Sequence, residues 1–316
     1  IFGADAEEIA VVRGASEGLQ ICQEGFDLKR GDEVVTSEQD YPRMIQTWQQ
    51  RERREGILLK QVRLPVPAED PAAVVAAFEG AITPRTRLVH VSHMVNLTGQ
   101  VLPVREVVAM ARRHGLPTIV DGAHAFAHFP FTRAELECDY YASSLHKWLF
   151  APHGTGVLYV RRDRIADLWP LQAAAVELTA SIRKFEEIGT HPAANFLAIS
   201  EAVAFTLGIG LERKAARMVY LRDRWARALQ GHPRVRLLTS LEPGLAYGLA
   251  TMQVEGMDPG AIAAHLWSKH HIVVTPIKHP AVEGIRITPN VYSTLEEVDL
   301  FVSVMQDLLR TGLPAA

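Results

Sequence analysis

The chain predicts an α/β architecture: a doubly wound parallel sheet followed by a smaller α+β domain. Three observations carry this. Short β-rich runs and helical stretches alternate from Ile9 to Arg161, polar residues collect at the carboxyl ends of the strands, and the texture changes after Arg161. Alternation of this kind buries both faces of a parallel sheet, and open α/β sheets bind ligands at their strands' carboxyl ends. With 316 residues, 48% of them apolar, and a net charge of −3, the chain can bury one large core and a smaller one. There is no basic surplus to attract nucleic acid and no uninterrupted apolar run of about 18 residues to span a membrane. Cys22 and Cys138 provide neither a disulfide framework nor metal-ligand spacing. A cytoplasmic protein is the default expectation. The chain opens on Ile1 with no Met, so a leading segment is expected to precede it and any targeting signal lies outside the sequence.

Ile9–Val12 reads as a short strand, and Arg13 to Cys22 (R-G-A-S-E-G-L-Q-I-C) as a small-residue turn opening a helix. Taken alone, Ser16 with Glu17 in the first turn is a simple helix cap; the same backbone N–H groups could also seat a phosphate. Glu33–Thr36 is a buried strand, and the loop after it ends in Tyr41-Pro42, with Pro42 suited to the first turn of a helix through Trp48 to Arg54. On its own, Tyr41 is an amphipathic aromatic at a domain edge. Ile57–Leu64 is a strand, Asp70–Ala81 a helix, and Arg87–Ser92 a strand whose end carries Ser92, His93 and Asn96; Pro103–His114 is the next helix.

The stretch from Thr118 to Arg161 organises the rest. Asp121 follows the run Thr118–Val120 and Lys147 follows Tyr140–Ser144, 147 − 121 = 26 residues apart. A carboxylate and an amine at the ends of neighbouring buried strands are costly unless paired or used, and a desolvated lysine beside a pocket can become a nucleophile. Beyond Arg161, a long helical region from Asn195 to Leu229 is broken near Gly208 and Gly210. Strands are expected at Val235–Leu238, Leu249–Val254, Ile272–Thr275 and Gly284–Thr288, with helices at Pro259–Lys269 and Thr294–Leu309. The expected division is 1–205 for the large domain and 206–316 for the small one.

The string S-S-L-H-K, Ser143 to Lys147, followed by the Gly154 and Gly156 turn, resembles the pyridoxal-phosphate lysine loop of the class V aminotransferase family, and V-D-G-A-H, Val120 to His124, resembles that family's pyridine-nitrogen site. The resemblance runs from Val11 to Leu309. It implies fold type I, a three-layer α/β/α arrangement with a mostly parallel sheet. It also implies pyridoxal 5'-phosphate as cofactor, held through a Schiff base to Lys147, with Asp121 on the protonated pyridine nitrogen. His124 matches a contact to the phenolic oxygen or the lysine. Ser144, His146, Ala15 and Ser16 match phosphate ligands, Tyr41 the residue stacked on the ring, and Asn96 a neighbour of the phenolic oxygen. F-E-E-I-G-T, Phe185 to Thr190, resembles the segment that reaches the partner subunit's phosphate through Thr190, implying a homodimer. G-I-R-I-T-P-N-V-Y-S-T-L-E-E-V-D, Gly284 to Asp299, resembles the segment whose arginine, here Arg286, grips the substrate α-carboxylate. Family members carry a further segment before the phosphate helix that this sequence lacks.

Desulfurases of the family need a mobile cysteine in the C-terminal half, and no residue after Cys138 is a cysteine, which argues against a persulfide-forming enzyme. The Tyr41-Pro42 pair and G-T-H-P-A-A-N-F-L-A-I, Gly189 to Ile199, look most like the isopenicillin-N-epimerase-like branch. The expectation is therefore an amino-acid enzyme in which Lys147 moves the α-proton, leading to epimerisation or transamination. A carbon–sulfur lyase is the alternative, and a non-catalytic regulator with the same fold is the alternative of another kind. His93, His128, His153, Asn290 and Tyr292 are further candidates for the pocket lining.

Overall fold

The structure, a computed structural model, describes residues 1–313; the last three residues of the expected small domain, 314–316, lie outside the described residues. The chain divides into two compact units. The first comprises Ile1–Leu64, Asp70–Met94 and Leu102–Leu211; the second comprises Pro65–Glu69, Val95–Val101 and the chain from Glu212 on.

In the first unit, β1 (Ile9–Val12) leads to α1 (Ala15–Gly25), β2 (Glu33–Ser37), α2 (Pro42–Glu55), β3 (Leu58–Val62) and α3 (Pro71–Gly80). Then follow β4 (Thr86–Ser92), α4 (Val104–Arg113), β5 (Thr118–Asp121), α5 (Arg133–Leu136), β6 (Tyr140–Ser144) and β7 (Gly156–Val160), with α6 (Ala193–Leu197) and α7 (Ile199–Ile209) closing the unit. The seven strands run in the order β1-β7-β6-β5-β4-β2-β3. β3, β2, β4, β5 and β6 are parallel, as expected, and buried runs such as β5 and β6 are what a sheet covered on both faces requires. β7 departs from this by pairing antiparallel with β6. Between Ser144 and Gly156 there are 156 − 144 − 1 = 11 residues and no helix, too few for a crossover to a parallel neighbour.

Helices cover the sheet because their apolar positions recur at helical spacing. α2 starts with Pro42 at its first position, buries Met44, Thr47, Trp48 and Arg51, and ends at a left-handed Gly56. α4 buries Val104, Val107, Val108 and Ala111. α1 packs on β5, β6, β7 and α2, while α3 and α4 pack on each other and on β2, β4 and β5. The result is a three-layer α/β/α unit. Trp48, Ile119, Tyr140, Ala142 and Leu158 belong to the core beneath α1 and α2. Register sets His90 opposite Ile119 and Ser92 opposite Asp121, so these four residues share that face.

The expected cap at Ser16 is not formed. Gly14 is the N-cap and Ser16 is the second residue of α1. The reason is a close approach: a Cβ at Gly156 would stand 2.5 Å from the Gly14 Cα, so the turn at Gly14 lies directly on the start of β7 and the helix begins there.

From Glu212 on, the second unit holds α8 (Leu211–Leu229, its first residue in the first unit), β8 (Val235–Leu237), β9 (Ala250–Val254), α9 (Pro259–His270), β10 (Thr275–His279), β11 (Val282–Ile287) and α10 (Leu295–Thr311). Its sheet runs β10-β11-β9-β8, antiparallel throughout. Trp225, Met252, Leu266, Ile285, Phe301 and Met305 are among its buried core. Thr294 and Glu297 form the capping box of α10. The strand expected at Ile272–Thr275 begins only at Thr275, because the Ile272 N–H closes the end of α9 on the Leu266 carbonyl and His271 is left-handed.

Gly156→Ala should destabilise the protein by about 1–3 kcal/mol, read as a lower urea midpoint. A midpoint equal to that of the unaltered protein would contradict the contact between Gly14 and Gly156.

Candidate active site

Asp121 ends β5 and is buried. One carboxylate oxygen accepts the Ala123 N–H at 2.9 Å. Burial pushes its pKa up, while that N–H acts to lower it. On the same face, the buried His90 accepts the Trp48 indole N–H at Nδ1, 3.1 Å away, and burial pushes its pKa down. Asp40, also buried, accepts hydrogen bonds from the hydroxyls of Thr36 and Ser92 and, at 2.8 Å, from the Ser37 N–H. Tyr41, the next residue, is the N-cap of α2 and is exposed.

The 11-residue segment from β6 to β7 carries the amine. Lys147 Nζ lies 3.3 Å from His124 Nε2. The other ring nitrogen of His124, Nδ1, accepts the Trp148 indole N–H at 3.4 Å. His128 is bonded through Nδ1 to the His124 carbonyl at 2.8 Å and stacks on Trp148, ring centres 3.7 Å apart. Asp121, His124 and Lys147 therefore come together around the ends of β5 and β6.

The start of α1 reaches the same strand end. The Ala15 N–H donates to the buried Ser144 Oγ at 2.9 Å, and a Cβ at Gly14 would lie 3.5 Å from that oxygen and 3.6 Å from His146 Cε1. His146 Nδ1 is 3.2 Å from the Thr155 carbonyl, and burial lowers its pKa. Ala15, Ser144 and His146 thus cluster at a helix N-terminus, where unfilled backbone N–H groups and the helix dipole favour an anion.

The remaining candidates have other local surroundings. Thr190 is exposed, between Gly189 and α6. His93 is buried against Phe129 and Phe131, and burial pushes its pKa down to about 3; it is a neutral member of an aromatic cluster. His128 is buried under Trp148, and His153 is exposed with its carbonyl accepting from Asn195. Asn96 and Arg286 belong to the second unit, where Arg286 Nη1 donates to the Asn96 carbonyl at 2.6 Å and Nη2 to Thr275 Oγ1 at 3.4 Å. Arg286 Nε and Asn96 Oδ1 are buried without a hydrogen-bond partner among the described residues. Asn290 is buried and Tyr292 exposed in the same unit.

The profile of the family described as aminotransferase class-V matches residues 1–301. The chain belongs to the class V aminotransferase family. It is 32% identical over 325 residues to the isopenicillin N epimerase of Streptomyces clavuligerus, covering 98% of this chain and 82% of that protein, which supports the epimerase-like branch. Its fold is similar to that of a cysteine desulfurase from Thermococcus onnurineus NA1 in its apo form, with a TM-score of 0.85 and 26% identity over 98% of this chain and 81% of that one. It is likewise similar to the C-DES protein, solved as a mutant with glycine covalently linked to its PLP cofactor. Here the TM-score is 0.85 and the identity 25%, over 97% of this chain and 82% of that one.

The protein is thus a class V enzyme that uses pyridoxal 5'-phosphate, and its first unit has donors that suit the group. The helix N-terminus at Ala15, with Ser144 and His146, offers an anion seat, Lys147 an amine, and Asp121 a buried carboxylate whose charge burial disfavours until a cation faces it. Neither cysteine of this class V chain is available as a thiolate. Cys22 and Cys138 are both buried, the first pushed well up and the second up to about 12 by burial.

Trp148, His90 and Asp40 were not among the candidates read from the sequence. Trp148 had a usable signal, an indole N–H immediately after the strand-end lysine. His90 and Asp40 look like ordinary strand and loop residues until register places them behind Asp121.

Because the Asp121 pKa is raised in the folded, cofactor-free chain, its contribution to stability is present at acid pH and lost as pH rises through that raised value. Asp121→Asn should therefore raise the melting temperature of cofactor-free protein at pH 7, with the gain vanishing at acid pH. A lower melting temperature at pH 7 would contradict the assignment.

Proposed function

We propose that the protein is an amino-acid enzyme of the isopenicillin-N-epimerase-like branch, in which Lys147 moves the Cα proton of the substrate, leading to epimerisation or transamination. The observation that carries this reading is the amine of Lys147 facing His124 Nε2 beside a buried carboxylate that calls for a cationic partner. When bound, pyridoxal phosphate supplies an electron sink for the bonds to Cα. Lys147 would hold the cofactor through its amine and would take up and return the Cα proton at Nζ. Asp121 would face the pyridine nitrogen, and His124 would contact the phenolic oxygen or the lysine. By the family resemblance, Ala15, Ser16, Ser144 and His146 would hold the phosphate, Tyr41 would stack on the ring and Asn96 would neighbour the phenolic oxygen. Thr190 reaches the phosphate of the partner subunit in a homodimer.

Arg286 is proposed to bind the substrate α-carboxylate. Among the described residues its guanidinium donates to a backbone carbonyl and a hydroxyl, with Nε left over. A half-buried cation with neutral partners suits a planar, two-oxygen anion. A carbon–sulfur lyase is the second reading, supported by the likeness to C-DES, described as a cystine C-S lyase.

The test is to incubate purified protein with pyridoxal phosphate, reduce with borohydride and map the attachment point. Lys147 should carry the added mass, and protein that never takes up the cofactor would overturn the reading. In deuterated water, single amino acids should exchange the α-proton. D-enantiomer, keto acid formed with an added amino acceptor, or pyruvate with sulfide then separates epimerase, transaminase and lyase. Lys147→Ala should lower turnover by about 10³-fold or more. Arg286→Leu should weaken binding of the amino acid by about 30-fold or more, visible in KM; an unchanged KM would remove Arg286 from substrate binding.

A further inference from the structure

The interactions of His124 constrain where its proton sits. An indole N–H can only donate, so the Trp148 contact at 3.4 Å requires His124 Nδ1 to accept. A neutral imidazole carries one N–H, which must then be on Nε2. Nε2 faces Lys147 Nζ at 3.3 Å. A nitrogen that already bears the proton cannot accept from an ammonium, and the amine can accept from it only with a free lone pair. His128 holds the indole in place: its Nδ1–H donates to the His124 carbonyl at 2.8 Å and its ring lies on Trp148, tilted by 24°.

We infer that Trp148 is a positioning residue that fixes His124 as the Nε2–H tautomer, and that this tautomer holds Lys147 as the free amine. The inference rests on the reading above only for its purpose, since attachment of a cofactor through Lys147 needs that lone pair. The charged groups around Lys147 divide. Asp121, from β5, acts in the opposite sense, because its charge attracts an ammonium. His146, the preceding residue, repels a charge on Lys147 and faces His153 in turn. Without the indole N–H, His124 could place its proton on Nδ1 and accept from an ammonium at Nε2. Lys147 would then hold its proton to higher pH.

Two measurements on the cofactor-free protein test this without using activity. Nitrogen-15 chemical shifts of labelled histidine should show His124 protonated at Nε2 and bare at Nδ1; protonation at Nδ1 alone would overturn the inference. The pH dependence of Lys147 acetylation by acetic anhydride, read by peptide mass spectrometry, gives the second result. Trp148→Phe keeps a ring beneath His128 and removes only the N–H. It should move the labelling midpoint to higher pH and slow labelling at neutral pH about tenfold. An unchanged profile in a folded variant would overturn the inference. Should Trp148→Phe fail to fold, the nitrogen-15 result on the unaltered protein decides alone. If both results hold while the protein takes up no cofactor, the proposed function fails and the tautomer assignment stands.

Discussion

The site depends on one costly arrangement, the carboxylate of Asp121 buried at the end of β5. A carboxylate removed from water favours its neutral form unless cationic or donor groups surround it. Here the protein supplies one backbone N–H, from Ala123. That partial compensation leaves room for a cation. The pyridinium of the cofactor used by class V enzymes is such a group, and Asp121 is the carboxylate we propose for it. His90 and Asp40 belong to the same economy. The first is kept neutral by burial with its Nδ1 engaged by Trp48, and the second is satisfied by three donors.

The second organising element is the short return from β6 to β7. Because 11 residues leave no room for a crossover helix, β7 comes back antiparallel, and the return loop with His146, Lys147 and Trp148 stays at the sheet's ligand-binding edge. The start of α1 is brought to the same edge by the contact between Gly14 and Gly156. One loop and one helix start, both positioned by small residues, thus set the amine against His124 and the anion seat against Ser144.

Much of the fold was legible because it rests on local pattern. Tyr140–Ser144 and Ile9–Val12 are strands with the bounds the apolar runs suggested, and Thr294 caps α10 with Glu297. The family, the three-layer fold and the cofactor were likewise readable, since Asp121 and Lys147 sit in strings that keep their spacing. What escaped depends on tertiary contacts. The direction of β7 follows from loop length, and the start of α1 at Gly14 follows from an approach to a residue 142 positions away (156 − 14). The late start of β10 follows from how α9 closes. Segment 95–101, with Asn96, belongs to the second unit through bonds from Thr239, Thr251 and Arg286 that no local pattern announces. In the candidate site, residue types were legible, whereas the pairing of Trp148 with His124 required the geometry.

The central claim is that Asp121 is a buried carboxylate awaiting a cation, and its own titration tests it most directly. Carbon-13 label in the aspartate carboxyls, followed against pH with and without pyridoxal phosphate, reports that group, with Asp121→Asn assigning the signal. The account predicts a midpoint above the ordinary aspartate range in the free protein that falls when the cofactor binds. A midpoint that is already low in the free protein, or one that the cofactor leaves in place, would contradict it.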